Sequence, residues 1–132
     1  MDLETRLADL RWALPPVPTP AGIYRPVVVL NNVAYVSGHG PLRSDGTYIC
    51  GRVGADMTLD EGQAAARQAG LTILASLKTS LGSLNRVKRL VKTLGMVNAS
   101  SDFTGHPQVI NGYSELMAEL LGAEAGVGAR SA

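Results

Sequence analysis

Residues 58–82 read TLDEGQAAARQAGLTILASLKTSLG, and this stretch carries the clearest structural instruction in the chain. Thr58 and Glu61 stand three apart, the spacing of a capping box in which the hydroxyl caps one free amide and the carboxylate reaches back to another. Ala66, Ala69, Ile73, Leu77 and Leu81 then recur at three- and four-residue steps, which predicts one apolar stripe on a helix from about Thr58 to Leu81. Gly82 supplies the left-handed conformation that closes many helices.

Upstream, the pattern changes period. Val27-Val28-Val29-Leu30 and Val33-Ala34-Tyr35-Val36-Ser37 are β-branched runs around Asn31-Asn32, and asparagine tolerates the positive φ of a two-residue hairpin turn. Ser44-Asp45-Gly46-Thr47 is a further turn signal, with Tyr48-Ile49 as a short strand beyond it. Leu3, Leu7 and Leu10 predict a short amphipathic helix, which ends before the stiff connector Pro15-Pro16-Val17-Pro18-Thr19-Pro20.

Downstream, Leu84, Val87, Leu90, Val91 and Leu94 have helical spacing, yet Val87 to Thr93 also suits a strand. Pro107 fits a first helical turn; Val109, Tyr113, Leu116, Met117 and Leu120 line one face of the helix it opens, and Gly122 stops it. The last ten residues are small and glycine-rich. This order predicts an α+β domain with two main helices packed on one face of a mixed sheet. The other sheet face is expected to form an oligomer interface.

Composition narrows the function classes. The 132 residues are 45% hydrophobic and 17% charged, enough for one domain with a real core. A net charge of +1 and 5% aromatic residues give no footprint for nucleic acid or an anionic membrane. His39, His106 and Cys50 do not fall into a metal-ligand motif, and no glycine-rich nucleotide loop occurs, so neither metal nor organic cofactor is expected. A lone cysteine, an acidic start at Met1-Asp2-Leu3-Glu4 and no membrane-length apolar run predict a cytoplasmic protein.

Several short motifs then appear in a telling order. They are Gly22-Ile23-Tyr24, Ser37-Gly38-His39-Gly40-Pro41, Val53-Gly54-Ala55-Asp56, Asp102-Phe103 with Val109-Ile110-Asn111-Gly112-Tyr113, and Ala129-Arg130-Ser131. In this sequence they resemble the Gly-x-Tyr, Ser-Gly-Gln-x-Pro, Asp-Phe…Val-Asn-x-x-Tyr and Ala-Arg-Ser segments of the Rid (reactive intermediate deaminase, YjgF-like) family. Val53 to Asp56 is similar to a less characterised branch of it. The resemblance covers roughly Gly22 to Ala132 and favours a strand at Val87–Lys92. It implies residues 1–20 as an N-terminal helix and connector, and 21–132 as a Rid-like domain with a chorismate-mutase-like, trimer-forming fold. Family members continue from Arg-Ser into a further strand bearing an acidic residue linked to water activation. Here the sequence stops at Ala132, so a C-terminally truncated domain is expected.

The resemblance also implies a function: hydrolysis of small reactive enamines and imines to keto acids and ammonia, in clefts between subunits. Arg130 would hold the ligand carboxylate through its planar fork. Tyr24 would serve the attacking water. Ser37, Gly38, His39 and Asn111 would complete substrate binding. Each has a plainer reading: Arg130 as a solvated residue near a terminus, Tyr24 as a half-buried aromatic, Ser37-Gly38 as a strand-ending turn, Asn111 as a surface or capping residue. His39 invites base chemistry as a histidine, but no second group stands at a diagnostic spacing. A non-catalytic binder of small carboxylates with the same fold is the alternative function. An endoribonuclease is a weaker one, unsupported by the balanced charge.

Overall fold

The computed structural model describes residues 2–132. In chain order the elements are α1 (Leu3–Leu10), β1 (Val27–Leu30), β2 (Val33–Val36), α2 (Leu59–Leu81), a single 3-10 turn (Leu84–Arg86), β3 (Lys92–Leu94), α3 (His106–Leu121) and β4 (Ala129–Ser131). Strands β1 and β2 pair antiparallel, β3 and β4 parallel, so the mixed pairing is spread over two small sheets.

α2 forms as its sequence dictates. Thr58 Oγ1 accepts from the Glu61 amide at 3.1 Å, Glu61 Oε1 accepts from the Thr58 amide at 3.0 Å, and Gly82 closes the helix at φ 83°. Its buried surface is wider than one stripe. Ala66, Gly70, Leu74 and Leu77 are buried, while Thr72 and Ser76 are fully buried polar residues on the same helix. The principal partner of α2 is α3, which buries Val109, Ile110, Tyr113, Leu116, Met117 and Leu120.

The hairpin turns on Asn31 (φ 51°) and Asn32 (φ 61°), the double left-handed geometry that matches strand twist, with Val27 opposite Val36. Its apolar side chains remain open: Val28 is 49%, Leu30 61% and Tyr35 60% exposed. Tyr48 makes only a single bridge, to Leu42, instead of a strand.

The expected strand at Val87–Thr93 lies later, at Lys92–Leu94. Ser83 caps the intervening 3-10 turn through the Asn85 amide, and the Leu90 amide is spent on the Ala125 carbonyl in a loop. Pairing begins only where Lys92 meets Ala129. The glycine-rich end is therefore no loose tail. A Cβ at Gly128 would lie 2.7 Å from the Val91 carbonyl oxygen, so glycine is what lets the two chains approach and pair.

One carboxylate supplies several of the ties between α1 and the body. Glu4 accepts from Lys78 Nζ and from the Leu84 amide, each at 2.8 Å. These contacts, Lys78 foremost, hold its carboxyl below the usual range. Because the folded state favours the ionised form, this stabilisation is present above an ordinary carboxylate pKa of about 4.3 and fades as pH falls through the folded value. Glu4→Gln is expected to lower the urea midpoint at neutral pH, with the difference from wild type vanishing in acid. A difference unchanged across that range would rule out the carboxylate as its cause.

Candidate functional site

Arg130 sits on β4 opposite Thr93 of β3, half-buried and ordered by the parallel pairing. Its Nη1 donates to Asn111 Oδ1 at 2.8 Å and to Ser114 Oγ at 3.0 Å, and its Nη2 donates to the Pro107 carbonyl at 3.2 Å. All three partners belong to the first turns of α3. A guanidinium carries five N–H donors. Nη1 uses both of its protons and Nη2 one, which leaves the Nε–H and one Nη2–H without a partner among the described residues. All three acceptors are neutral, and no carboxylate pairs with Arg130 among the described residues. The result is a positive guanidinium braced by neutral partners, with two of its five donors unspent.

A second cluster lies at the end of the hairpin. Tyr24, Gly38 and His39 line a small pocket of about 70 Å³ with Pro18, Pro20 and Tyr48. The Tyr24 hydroxyl oxygen accepts from the Ala21 amide at 3.0 Å, which leaves its proton free to donate. Ser37 spends its hydroxyl on the Arg25 carbonyl at 2.6 Å. His39 Nδ1 lies 2.7 Å from the Ser37 carbonyl, which can only accept, so Nδ1 carries a proton. His39 Nε2 meets Ser76 Oγ at 2.8 Å. With both ring nitrogens engaged inside the protein, His39 offers a ligand its ring surface rather than a free base.

The loop that presents this pocket is pinned to a polar line on α2. Gln68 Nε2 donates to the Leu42 carbonyl at 2.6 Å, and Thr72 Oγ1 accepts from the Leu42 amide at 3.3 Å. Ser76 then holds His39, so Gln68, Thr72 and Ser76 grip the loop at successive helical turns. That line was visible as a four-residue polar repeat inside an apolar helix.

Arg130 and Asn111 thus meet directly, and Tyr24, Gly38 and His39 share a pocket. Ser37 adjoins that pocket through its carbonyl. No hydrogen bond joins the two groups, and neither Arg130 nor Asn111 lines the Tyr24 pocket. Sequence reasoning missed Ser114, whose signal is its three-residue spacing from Asn111 on one helix face. Tyr113, by contrast, follows Asn111 by two and turns into the core. Its hydroxyl lies 3.3 Å from Thr93 Oγ1, and burial pushes the phenol above its ordinary pKa.

Among the described residues, no group of three or more His, Cys, Asp or Glu is placed to hold a metal ion. Among the same residues, no helix is long and apolar enough to cross a membrane.

The architecture is that of a small α+β domain, two packed helices backing short mixed strands. The chain belongs to the YjgF/chorismate mutase-like family: the family model described as "YjgF/chorismate mutase-like, putative endoribonuclease" matches residues 4–132. A relative, Protein TCP17 of Trypanosoma cruzi, is 40% identical over 130 residues, covering 98% of this chain and 81% of that protein. Among solved structures, one described as a "putative endoribonuclease" from Shewanella oneidensis MR-1 superposes with a TM-score of 0.91 at 34% identity. It spans 98% of this chain and 85% of its own. Atu1372 of Agrobacterium tumefaciens, described as of unknown function, gives a TM-score of 0.85 at 37% identity over 98% of this chain and 78% of its own.

Proposed function

We propose that this protein hydrolyses small reactive enamines and imines derived from amino acids, in a cleft between subunits of a cytoplasmic homotrimer. The carrying observation is the open fork of Arg130, a fixed cation whose three protein partners are all neutral. It suits the carboxylate of a 2-imino acid. Water adds to the iminium carbon, the carbon–nitrogen bond breaks, and the products are a keto acid and ammonia. Tyr24, with a free hydroxyl proton, serves proton transfer to the departing nitrogen. The reaction is intrinsically fast, so positioning supplies much of the catalysis.

Trimer formation is supported by the apolar side chains left open on the hairpin and by Leu94 (68%) and Met96 (81%) near β3. The separation of the Tyr24 pocket from the Arg130 fork supports a site completed by a neighbouring copy. The exposed free thiol of Cys50 is consistent with a reducing compartment.

The test is complementation. Tyr24→Phe and Arg130→Ala proteins, each inactive on a dehydroalanine-type imine, are dissociated, mixed and reassembled. Intersubunit sites predict recovery of about a quarter of wild-type activity, because random assembly brings two intact halves together in about that share of sites. No recovery, from variants that reassemble normally, would place the whole site within one subunit.

A second reading, binding of small carboxylates without turnover, is favoured by one observation: neither cluster contains a carboxylate to take a proton from water. Keto-acid binding with imine decay at the background rate would establish it. Endoribonuclease activity, the description carried by the Shewanella protein, gains no support from a net charge of +1, and intact RNA after incubation is expected.

A further inference from the structure

A larger groove lies apart from both clusters, where α1 and the proline connector fold back beside α2. Its volume is about 610 Å³, within the range of small-ligand sites. Leu7, Trp12, Leu14, Val17 and Ala75 supply its apolar surface. Trp12 is the only tryptophan in the chain, and the Arg67 guanidinium stands 4.9 Å from its ring centre. Arg67 itself does not line the groove.

The charges around the groove do not cancel. Glu4, Lys78 and Arg11 all line it. The Glu4 carboxylate is consumed by Lys78 Nζ and the Leu84 amide. The Arg11 guanidinium makes no hydrogen bond or ion pair among the described residues; only its backbone amide is used, on the Ala8 carbonyl that ends α1. One exposed cation therefore faces an apolar cleft with an aromatic wall.

We propose that this groove is a second ligand site, taking a monoanionic carboxylate with an aromatic or branched apolar body, its charge paired with Arg11. The apolar body lies along Leu14, Val17 and Trp12, and the carboxylate reaches the guanidinium at the rim. A single negative charge matches the single unpaired cation. The site is independent of the imine chemistry, since it shares no residue with either cluster.

Hydrocinnamate is the probe and hydrocinnamyl alcohol its neutral counterpart. Titration into the full chain should change Trp12 emission saturably, with a Kd on the order of 0.1–1 mM, as a shallow cleft with one charge contact allows. Calorimetry should give the same constant. Arg11→Gln should weaken the carboxylate roughly 5–10-fold and leave the alcohol unchanged. Arg130→Ala should leave both unchanged.

Loss of the signal in Arg130→Ala would place the ligand in the other site and overturn the proposal. So would equal affinities for acid and alcohol, an Arg11→Gln protein that binds like wild type, or no saturable response. An emission change that tracks protein concentration without probe would overturn it too, because a second copy would then occupy the groove.

Discussion

Replacing Arg130 by alanine is expected to lower kcat/KM on a dehydroalanine-type imine by about 100-fold or more, a loss of about 2.7 kcal/mol in transition-state binding. The size follows from what the side chain offers. A fork fixed by Asn111, Ser114 and the Pro107 carbonyl makes two parallel charge-assisted bonds with little ordering cost, because the protein has already oriented it. Lysine keeps the charge but not the fork, so Arg130→Lys should recover little. Ser114→Ala removes one brace and leaves the cation, so a smaller rise, mainly in KM, is expected. Steady-state decay of the imine, followed with each variant against the no-enzyme rate, decides the matter. An Arg130→Ala enzyme that turns over like wild type would remove the arginine from the chemistry and the deaminase reading with it.

Gly112→Ala is expected to be strongly destabilising, at about 2–4 kcal/mol. Gly112 lies in α3 where it crosses α2. A Cβ there would meet the Gln63 carbonyl oxygen and would come within 2.8 Å of the Gln63 carbonyl carbon and 3.0 Å of its Cα. These are backbone atoms inside a helix, and they move only if the whole helix moves. Alanine's better helix propensity, about 1 kcal/mol, offsets only part of this. Gly62→Ala makes a useful contrast. Its new methyl would meet the Val53 and Val109 side chains at 3.0 and 3.4 Å, and these can adjust. Thermal melting should show a fall of about 10 °C for Gly112→Ala and a smaller one for Gly62→Ala. A Gly112→Ala protein as stable as wild type would mean that α2 and α3 sit farther apart than described. The helix displacement that the Gln63 clash forces would carry Asn111 and Ser114 away from Arg130, so activity should fall along with stability.

Local chemistry was legible from the residues themselves. The Thr58–Glu61 box, the Gly82 stop, the paired asparagines of the hairpin and the Pro107 start of α3 act over a few neighbouring positions, and each formed as read. Motifs in order were enough to indicate the family. Spacing did not reveal where β3 begins, because that depends on which carbonyls residues 125–131 offer to Leu90 and its followers, a contact made across the whole of α3.

Arg130 shows the same division at the site. Its identity as a carboxylate handle could be named from an Ala-Arg-Ser motif, but the plain sequence also allowed a solvated residue near a terminus. Tertiary structure shows a braced side chain in place of a freely solvated one. Parallel pairing with Thr93 orders the backbone, and α3 brings two side chains and one carbonyl to the guanidinium. The sequence by itself determined the helices, the hairpin and the cast of polar residues, since short-range backbone preferences and apolar periodicity need no partner. Only the fold decided which donors are spent and which stay open, because a hydrogen bond between distant segments exists only once packing has brought them together.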